Sequence, residues 1–279
     1  MKKTILDLRR MAAAGEKATW LTGYDYLTAK YEERAGVDMI LVGDSYGNVC
    51  LGYDETTPVT MEEMLSACKS VRRGAPNTFI IGDMPFMSYQ ISNETAVLNA
   101  GRLIKEGMCD AIKLEGGGEE ICKRIAAISS IGILVFGHIG LTPQFAAQMG
   151  GLKAQGKSAE AAKKIIDEAL RIEAAGAAAL LVEGVPAVVG KVITEKLSIP
   201  VYGIGAGSYT DGQLLIFADM LGYYDNFMPK FVKQYAQLGS IMQKAFEDYC
   251  EDVRAGRFPI DSEHTYKIAP EEAAKIEEM

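Results

Sequence analysis

What most constrains this chain is a two-part rhythm. A short, largely apolar run rich in β-branched residues is followed by a longer stretch with apolar residues at helical spacing, and the pair recurs along the sequence. The apolar runs are ATWLTG (18–23), DMILVG (38–43), NTFIIG (77–82), DAIKLE (110–115), ILVFGH (133–138), AALLVE (178–183), PVYGIG (200–205) and LLIFAD (214–219). None alternates polar with apolar residues as a half-exposed antiparallel strand does, so the pattern predicts strands covered on both faces, which is the parallel arrangement. Helical periodicity fills the gaps at 26–35, 61–73, 93–106, 119–129, 159–175 and 187–197. Eight strands favour closure into a (β/α)8 barrel; a doubly wound open sheet has the same local alternation and differs in strand order and closure.

A chain of 279 residues, 48% of them hydrophobic, suits one such barrel, and no Pro/Gly/Ser-rich linker divides it. The reading is therefore one domain over 1–279 with a short polar tail from about Ile268. An amphipathic segment from Pro229 to Arg254 follows the last strand, either as an outer-ring helix or as a contact between copies. A net charge of −8 without any Lys/Arg run argues against nucleic acid and against an anionic membrane surface, since both require clustered positive charge. Neither a signal-type apolar segment nor a run of 18 apolar residues is present. Five cysteines without a C-x-x-C pair are expected to be reduced core thiols of a cytoplasmic protein.

In a barrel the chemistry sits at the C-terminal ends of the strands. Those ends carry Asp44, Asp83, Lys113 with Glu115, His138, Glu183 and the glycines of GIGAG, 203–207. One acid after a strand is commonly a helix N-cap, but this many polar and titratable residues on one rim describe a site. The segment GDSYG, 43–47, matches the nucleophile-elbow pattern G-x-S-x-G, yet a Ser, acid, His triad is poorly supplied by a chain with two histidines, His138 and His264. IIGDMPF repeats the apolar run and the Gly-Asp of LVGDSYG without the serine, so the recurring element is the aspartate.

Asp44 and Asp83 on neighbouring strands, about 4.8 Å apart, can share a cation. Oxygen ligands without a Cys/His cluster select Mg²⁺ or Mn²⁺. Lys113 and Glu115 are two residues apart and share a face, where the lysine meets either a substrate carboxylate or Glu115 itself. Glu183 closes an apolar run, and partial desolvation there would favour a general base. GIGAG is a weak dinucleotide signal, placed where barrels commonly bind anions.

Several ordered blocks, among them GYDYLTAKYEERAGVDMILVGDSYGNVCLGYDETTPVTMEEM, VRRGAPNTFIIGDMPFMSY, AGRLIKEGMCDAIKLEGG, GHIGLTPQ and VPAVVGKVITEKLSIPVYGIGAG, resemble the ketopantoate hydroxymethyltransferase family from about Thr19 to Tyr266. The resemblance implies a (β/α)8 TIM barrel of the phosphoenolpyruvate/pyruvate type. It implies transfer of a hydroxymethyl group from 5,10-methylenetetrahydrofolate to 3-methyl-2-oxobutanoate, giving 2-dehydropantoate in pantothenate biosynthesis through a metal-stabilised enolate. It implies Mg²⁺ as the metal and a homodecamer as the assembly. Carried over by position, Asp44, Asp83 and Glu115 resemble the metal-site acids, Ser45, Asp83 and Lys113 the oxoacid-binding residues, and Glu183 the catalytic base. His138 is read either as a residue that orients bound ligand, and so joins the substrate-binding group, or as a satisfied rim histidine. A folate-independent 2-oxoacid lyase of the same superfamily stays open as the alternative. A metal-independent glycosidase and a non-catalytic binding protein are further rivals.

Overall fold

The computed structural model describes residues 2–224 and 228–279. Eight parallel strands close on themselves in sequence order: β1 Ala18–Thr22, β2 Met39–Val42, β3 Phe79–Asp83, β4 Ala111–Glu115, β5 Val135–Gly140, β6 Ala179–Glu183, β7 Val201–Ile204 and β8 Gly212–Leu215. The open-sheet alternative is thereby ruled out, because β8 pairs directly with β1. The helices that follow the early strands are α2 Tyr26–Ala35, α3 Met61–Gly74, α4 Asn93–Lys105 and α5 Glu119–Ser130, with α1 Ile5–Ala13 ahead of β1. Then come α6 Ala146–Met149, α7 Ala159–Ala174, α8 Ala187–Lys196, α9 Phe217–Met220, α10 Leu238–Arg254, α11 Asp261–His264 and α12 Pro270–Glu277.

Local chemistry explains where the long helices begin. Asp25 caps α2, Ser92 caps α4 and Ser158 caps α7 through side-chain oxygens, and Thr60 with Glu63 forms a reciprocal capping box at α3. Each strand then sends alternate residues to two separate cores. Ile40, Val42, Ile80, Ile112, Leu114, Leu180, Val182 and Val201 pack outward against the helices. Met39, Leu41, Phe79, Ile81, Phe136, Leu181 and Tyr202 fill the interior with Trp20. Trp20 meets Phe136 edge-on with ring centroids 5.7 Å apart, and Phe136 stacks on Tyr202 at 6.2 Å. Leu8 and Met11 of α1, a helix the periodicity did not reveal, join this inner cluster.

Two boundaries differ from the sequence reading. The last strand is Gly212–Leu215, and its expected second half enters the short helix α9. The long amphipathic segment is helical only over Leu238–Arg254, and α10 buries no residue, so it is not an outer-ring helix packed on its own barrel. At the end of β5, Gly140 adopts φ +91°, and a Cβ there would lie 2.2 Å from the carbonyl oxygen of Glu183. Only glycine fits this close approach, which lets Leu141 N–H donate to Glu183 O and seats the Glu183 backbone against β5.

Candidate active site

The same period-two columns that build the apolar interior continue into the rim. Phe79 and Ile81 are followed by Asp83 on β3, Ala111 by Lys113 and Glu115 on β4, Phe136 by His138 on β5, and Ala179 and Leu181 by Glu183 on β6. Register sets the neighbours, placing Asp83 beside Lys113 and Glu115 beside His138. Asp44 stands just beyond β2, and its backbone N–H donates to Asp83 Oδ2 at 3.1 Å, so the two aspartates are joined. Asp44, Asp83, Lys113, Glu115 and His138 are all buried.

Lys113 Nζ lies 2.9 Å from Asp83 Oδ1 and 3.6 Å from Glu115 Oε1, so its nearest counter-ion comes from the adjacent strand. His138 stands between two acids, with Nδ1 3.3 Å from Glu115 Oε1 and Nε2 3.2 Å from Glu183 Oε2. Its Nδ1 is also 3.4 Å from Lys113 Nζ. The side chain of Glu183 is 15% exposed, against 1% for Asp83 and Glu115, which puts it at the mouth of the cup. Ser45 Oγ lies 2.7 Å from Tyr24 OH, a phenol partner that does not activate a nucleophile.

Three buried carboxylates thus face one ammonium. Burial raises the pKa of Asp44, and the nearby charge of Glu115 adds to it. Burial pushes Asp83 well above the usual carboxylate range despite Lys113, and it raises Glu115 as well. Burial works against the charged Lys113, but Asp83, Glu115 and Asp44 outweigh it and hold the ammonium firmly protonated. His138 is lowered by burial and then by Lys113, which keeps the imidazole neutral.

The donor chemistry fits a hard divalent cation. Asp83 Oδ1 makes no well-directed hydrogen bond although Lys113 Nζ is close, and the carboxylates outnumber the one cation among them. Among the described residues no three His, Cys, Asp or Glu side chains gather into a metal-holding group on their own. A cation here would therefore take much of its shell from water and substrate oxygens, the habit of Mg²⁺.

Two residues that the strand-end reading left without a role complete the site. Gln144, in the 3₁₀ turn Pro143–Phe145 after β5, donates its backbone N–H to Glu115 Oε2 at 3.0 Å and its side-chain Nε2 to Asp44 Oδ2 at 2.8 Å. Tyr89, in the loop after β3, places its hydroxyl 2.7 Å from Gln144 Oε1. Both lie in quoted blocks, GHIGLTPQ and GDMPFMSY, but neither is a strand-end residue, so period-two reasoning does not reach them.

The family model described as ketopantoate hydroxymethyltransferase matches residues 2–261. A 3-methyl-2-oxobutanoate hydroxymethyltransferase of Alkaliphilus metalliredigens (strain QYMF) is 55% identical over 96% of this chain and 94% of its own. Among solved structures, a phosphoenolpyruvate phosphomutase from Streptomyces platensis subsp. rosaceus superposes with a TM-score of 0.62 at 16% identity, over 99% of this chain and 96% of its own. A 2,3-dimethylmalate lyase of the PEP mutase/isocitrate lyase superfamily does so at 0.58 and 16% identity, over 100% of this chain and 99% of its own. These structural likenesses concern the barrel fold.

Proposed function

We propose a course of reaction for this chain, which belongs to the ketopantoate hydroxymethyltransferase family. It is an enzyme that transfers a hydroxymethyl group to 3-methyl-2-oxobutanoate. The proposal concerns how its residues do so, with which one-carbon donor, and in what assembly. The observation that carries the reading is the convergence of Asp44, Asp83, Lys113, Glu115, His138 and Glu183 on one rim, with excess buried negative charge and a single fixed ammonium.

Asp44, Asp83 and Glu115 would hold Mg²⁺ or Mn²⁺. Such a cation supplies positive charge to the carboxylate and keto oxygens of a 2-oxoacid. Lys113 offers its ammonium to the same anionic substrate and stays charged because three acids surround it. Ser45, held by Tyr24, offers its hydroxyl to a substrate oxygen. Glu183, at the mouth, accepts the C3 proton, and the electron pair of the broken C–H bond delocalises into the keto group. Water breaks the two C–N bonds of 5,10-methylenetetrahydrofolate, releasing tetrahydrofolate and leaving the one-carbon unit as an aldehyde; C3 bonds that carbon, the C=O electron pair passes to its oxygen, and the proton held by Glu183 returns to make the hydroxyl. The neutral imidazole of His138, 3.2 Å from Glu183 Oε2, orients the base and faces bound ligand.

The setting we propose is cytoplasmic pantothenate synthesis. Among the described residues no helix is long and apolar enough to cross a membrane. Assembly as a homo-oligomer, by resemblance a decamer, is supported by α10, which leaves Ile241, Phe246, Tyr249 and Val253 exposed.

The test is proton NMR of 3-methyl-2-oxobutanoate in D₂O with the protein and Mg²⁺ but no folate. The C3 proton signal is expected to disappear with wild type and persist with Glu183→Gln. Turnover that needs no tetrahydrofolate would favour the lyase alternative. Exchange undiminished in Glu183→Gln would place the base elsewhere.

A further inference from the structure

The side-chain amide of Gln144 has every hydrogen-bonding position accounted for, and the partners lie beyond two strands, β2 and β3, while Gln144 itself follows β5. Its Nε2 donates to Asp44 Oδ2 at 2.8 Å and to the Met84 carbonyl at 3.0 Å. Its Oε1 accepts from Tyr89 OH at 2.7 Å and from Gln90 Nε2 at 3.5 Å. The Met84 carbonyl is acceptor-only, so the NH₂ end must face it, and that same end then faces Asp44. Tyr89 OH accepts from Glu115 N–H at 3.2 Å, and for its own proton Gln144 Oε1 at 2.7 Å is a nearer acceptor than the Glu115 carbonyl at 3.3 Å, which orients the amide the same way from the other side. The Gln144 backbone N–H meanwhile occupies Glu115 Oε2. One residue therefore engages the carboxylates of Asp44 beyond β2 and Glu115 at the end of β4, although it belongs to the turn after β5.

The network is closed off from bulk solvent, so a missing donor is not readily replaced from outside. Gln144 is 4% exposed and Tyr89 is fully covered. Without the amide, Asp44 Oδ2 would lose its donor in a site already crowded with negative charge, and the carboxylate would reorient toward Lys113 or solvent.

Resting on the function proposed above, we infer that Gln144, with its amide fixed by Tyr89, is a positioning residue that holds the Asp44 and Glu115 carboxylates in the arrangement that accepts the divalent cation. Gln144 touches neither the substrate nor the reacting carbon in this assignment. Its contribution is to the readiness of the ligands, and removal of such a partner weakens metal affinity by about 10- to 100-fold.

Calorimetric titration of Mn²⁺ alone into the full-length protein tests it. Gln144→Met keeps the shape, removes the amide and retains the backbone N–H. Its Mn²⁺ dissociation constant is expected to rise about 10-fold or more, on that same scale. In turnover assays the Mg²⁺ concentration for half-maximal rate should rise in parallel, with the rate recovering at saturating Mg²⁺. Tyr89→Phe frees the amide without deleting it and should shift the Mn²⁺ constant in the same direction by a smaller factor; this variant decides the matter if Gln144→Met does not fold. Wild-type Mn²⁺ affinity in a folded variant overturns the inference and assigns Gln144 a packing role. Wild-type protein that binds Mn²⁺ but exchanges no C3 proton counts against the proposed course of reaction alone, whereas wild-type protein that binds no Mn²⁺ overturns both.

Discussion

The floor and the rim of this barrel are built from the same strands and the same inward columns, yet they are held together by opposite physics. Two residues below Asp83 on β3 is Ile81, and two below His138 on β5 is Phe136. The floor places Trp20, Phe136 and Tyr202 in mutual ring contact, where burial of apolar area is favourable. The rim places three carboxylates and one lysine at similar burial, where desolvation opposes every charge. A shared backbone thus gives one end that stabilises the fold and one end that draws on that stability to keep charges dry and ordered. A third region makes the contrast sharper. Glu32 on α2 is buried with neither carboxylate oxygen hydrogen-bonded, and burial followed by Asp25 pushes its pKa up to about 9.

The largest expected separation between floor and rim comes from Phe136→Ala. Loss of a buried ring should cost about 3–5 kcal/mol of stability in chemical denaturation. A cost under about 1 kcal/mol would show that the floor is not the stabilising end.

At the rim, Glu183→Gln is expected to lower turnover by about 100-fold, equivalent to about 2.7 kcal/mol of barrier, while leaving the denaturation midpoint near that of wild type. Lost stability with retained rate would invert the comparison.

Supplying the missing positive charge should make the rim less costly. Mg²⁺ at about 100 times its dissociation constant is expected to stabilise wild type by about 2.7 kcal/mol, seen as a raised melting temperature that EDTA reverses. Asp83→Ala should show no such rise and no metal-dependent oxoacid binding. A metal response equal to wild type in that variant would remove Asp83 from the cation site.

Glu32 gives a pH-resolved effect. Its folded pKa lies above the ordinary value of 4.5, so any stability tied to its neutral form is complete below about 4.5 and is lost as pH rises toward 9. Glu32→Gln should therefore nearly match wild type near pH 5 and exceed it by about 4 kcal/mol near pH 8, three pH units on the linkage scale of about 1.4 kcal/mol per unit. A gap between the two proteins that does not change with pH would mean that Glu32 is ionised throughout.

The smallest effect on the barrel itself is expected from Phe246→Glu on the exposed face of α10. It should reduce assembly size in sedimentation and leave the melting of the barrel little changed.

Much of the rim could be read before any coordinates because period-two alternation is local. Once DAIKLE and AALLVE are strands, Lys113, Glu115 and Glu183 must share a face with the residues two before them. Gln144 and Tyr89 escaped that logic because they reach the site through turns, whose paths depend on closed-ring contacts and not on periodicity. The α1 helix escaped for a similar reason. Only Leu8 and Met11 of its residues are buried, and the floor they join is assembled by strands far along the chain.

By itself, then, the sequence determined the alternation of strands and helices, the apolar interior columns and the acids that crown them. These follow from side-chain periodicity and from the penalty for exposing apolar runs. Tertiary structure alone decided that β8 closes on β1, that Lys113 is nearer Asp83 than Glu115, that Ser45 meets Tyr24, and that Gln144 spans from Asp44 to Glu115. Those outcomes depend on strand register and loop path, which are set by the simultaneous packing of distant segments and have no local signature.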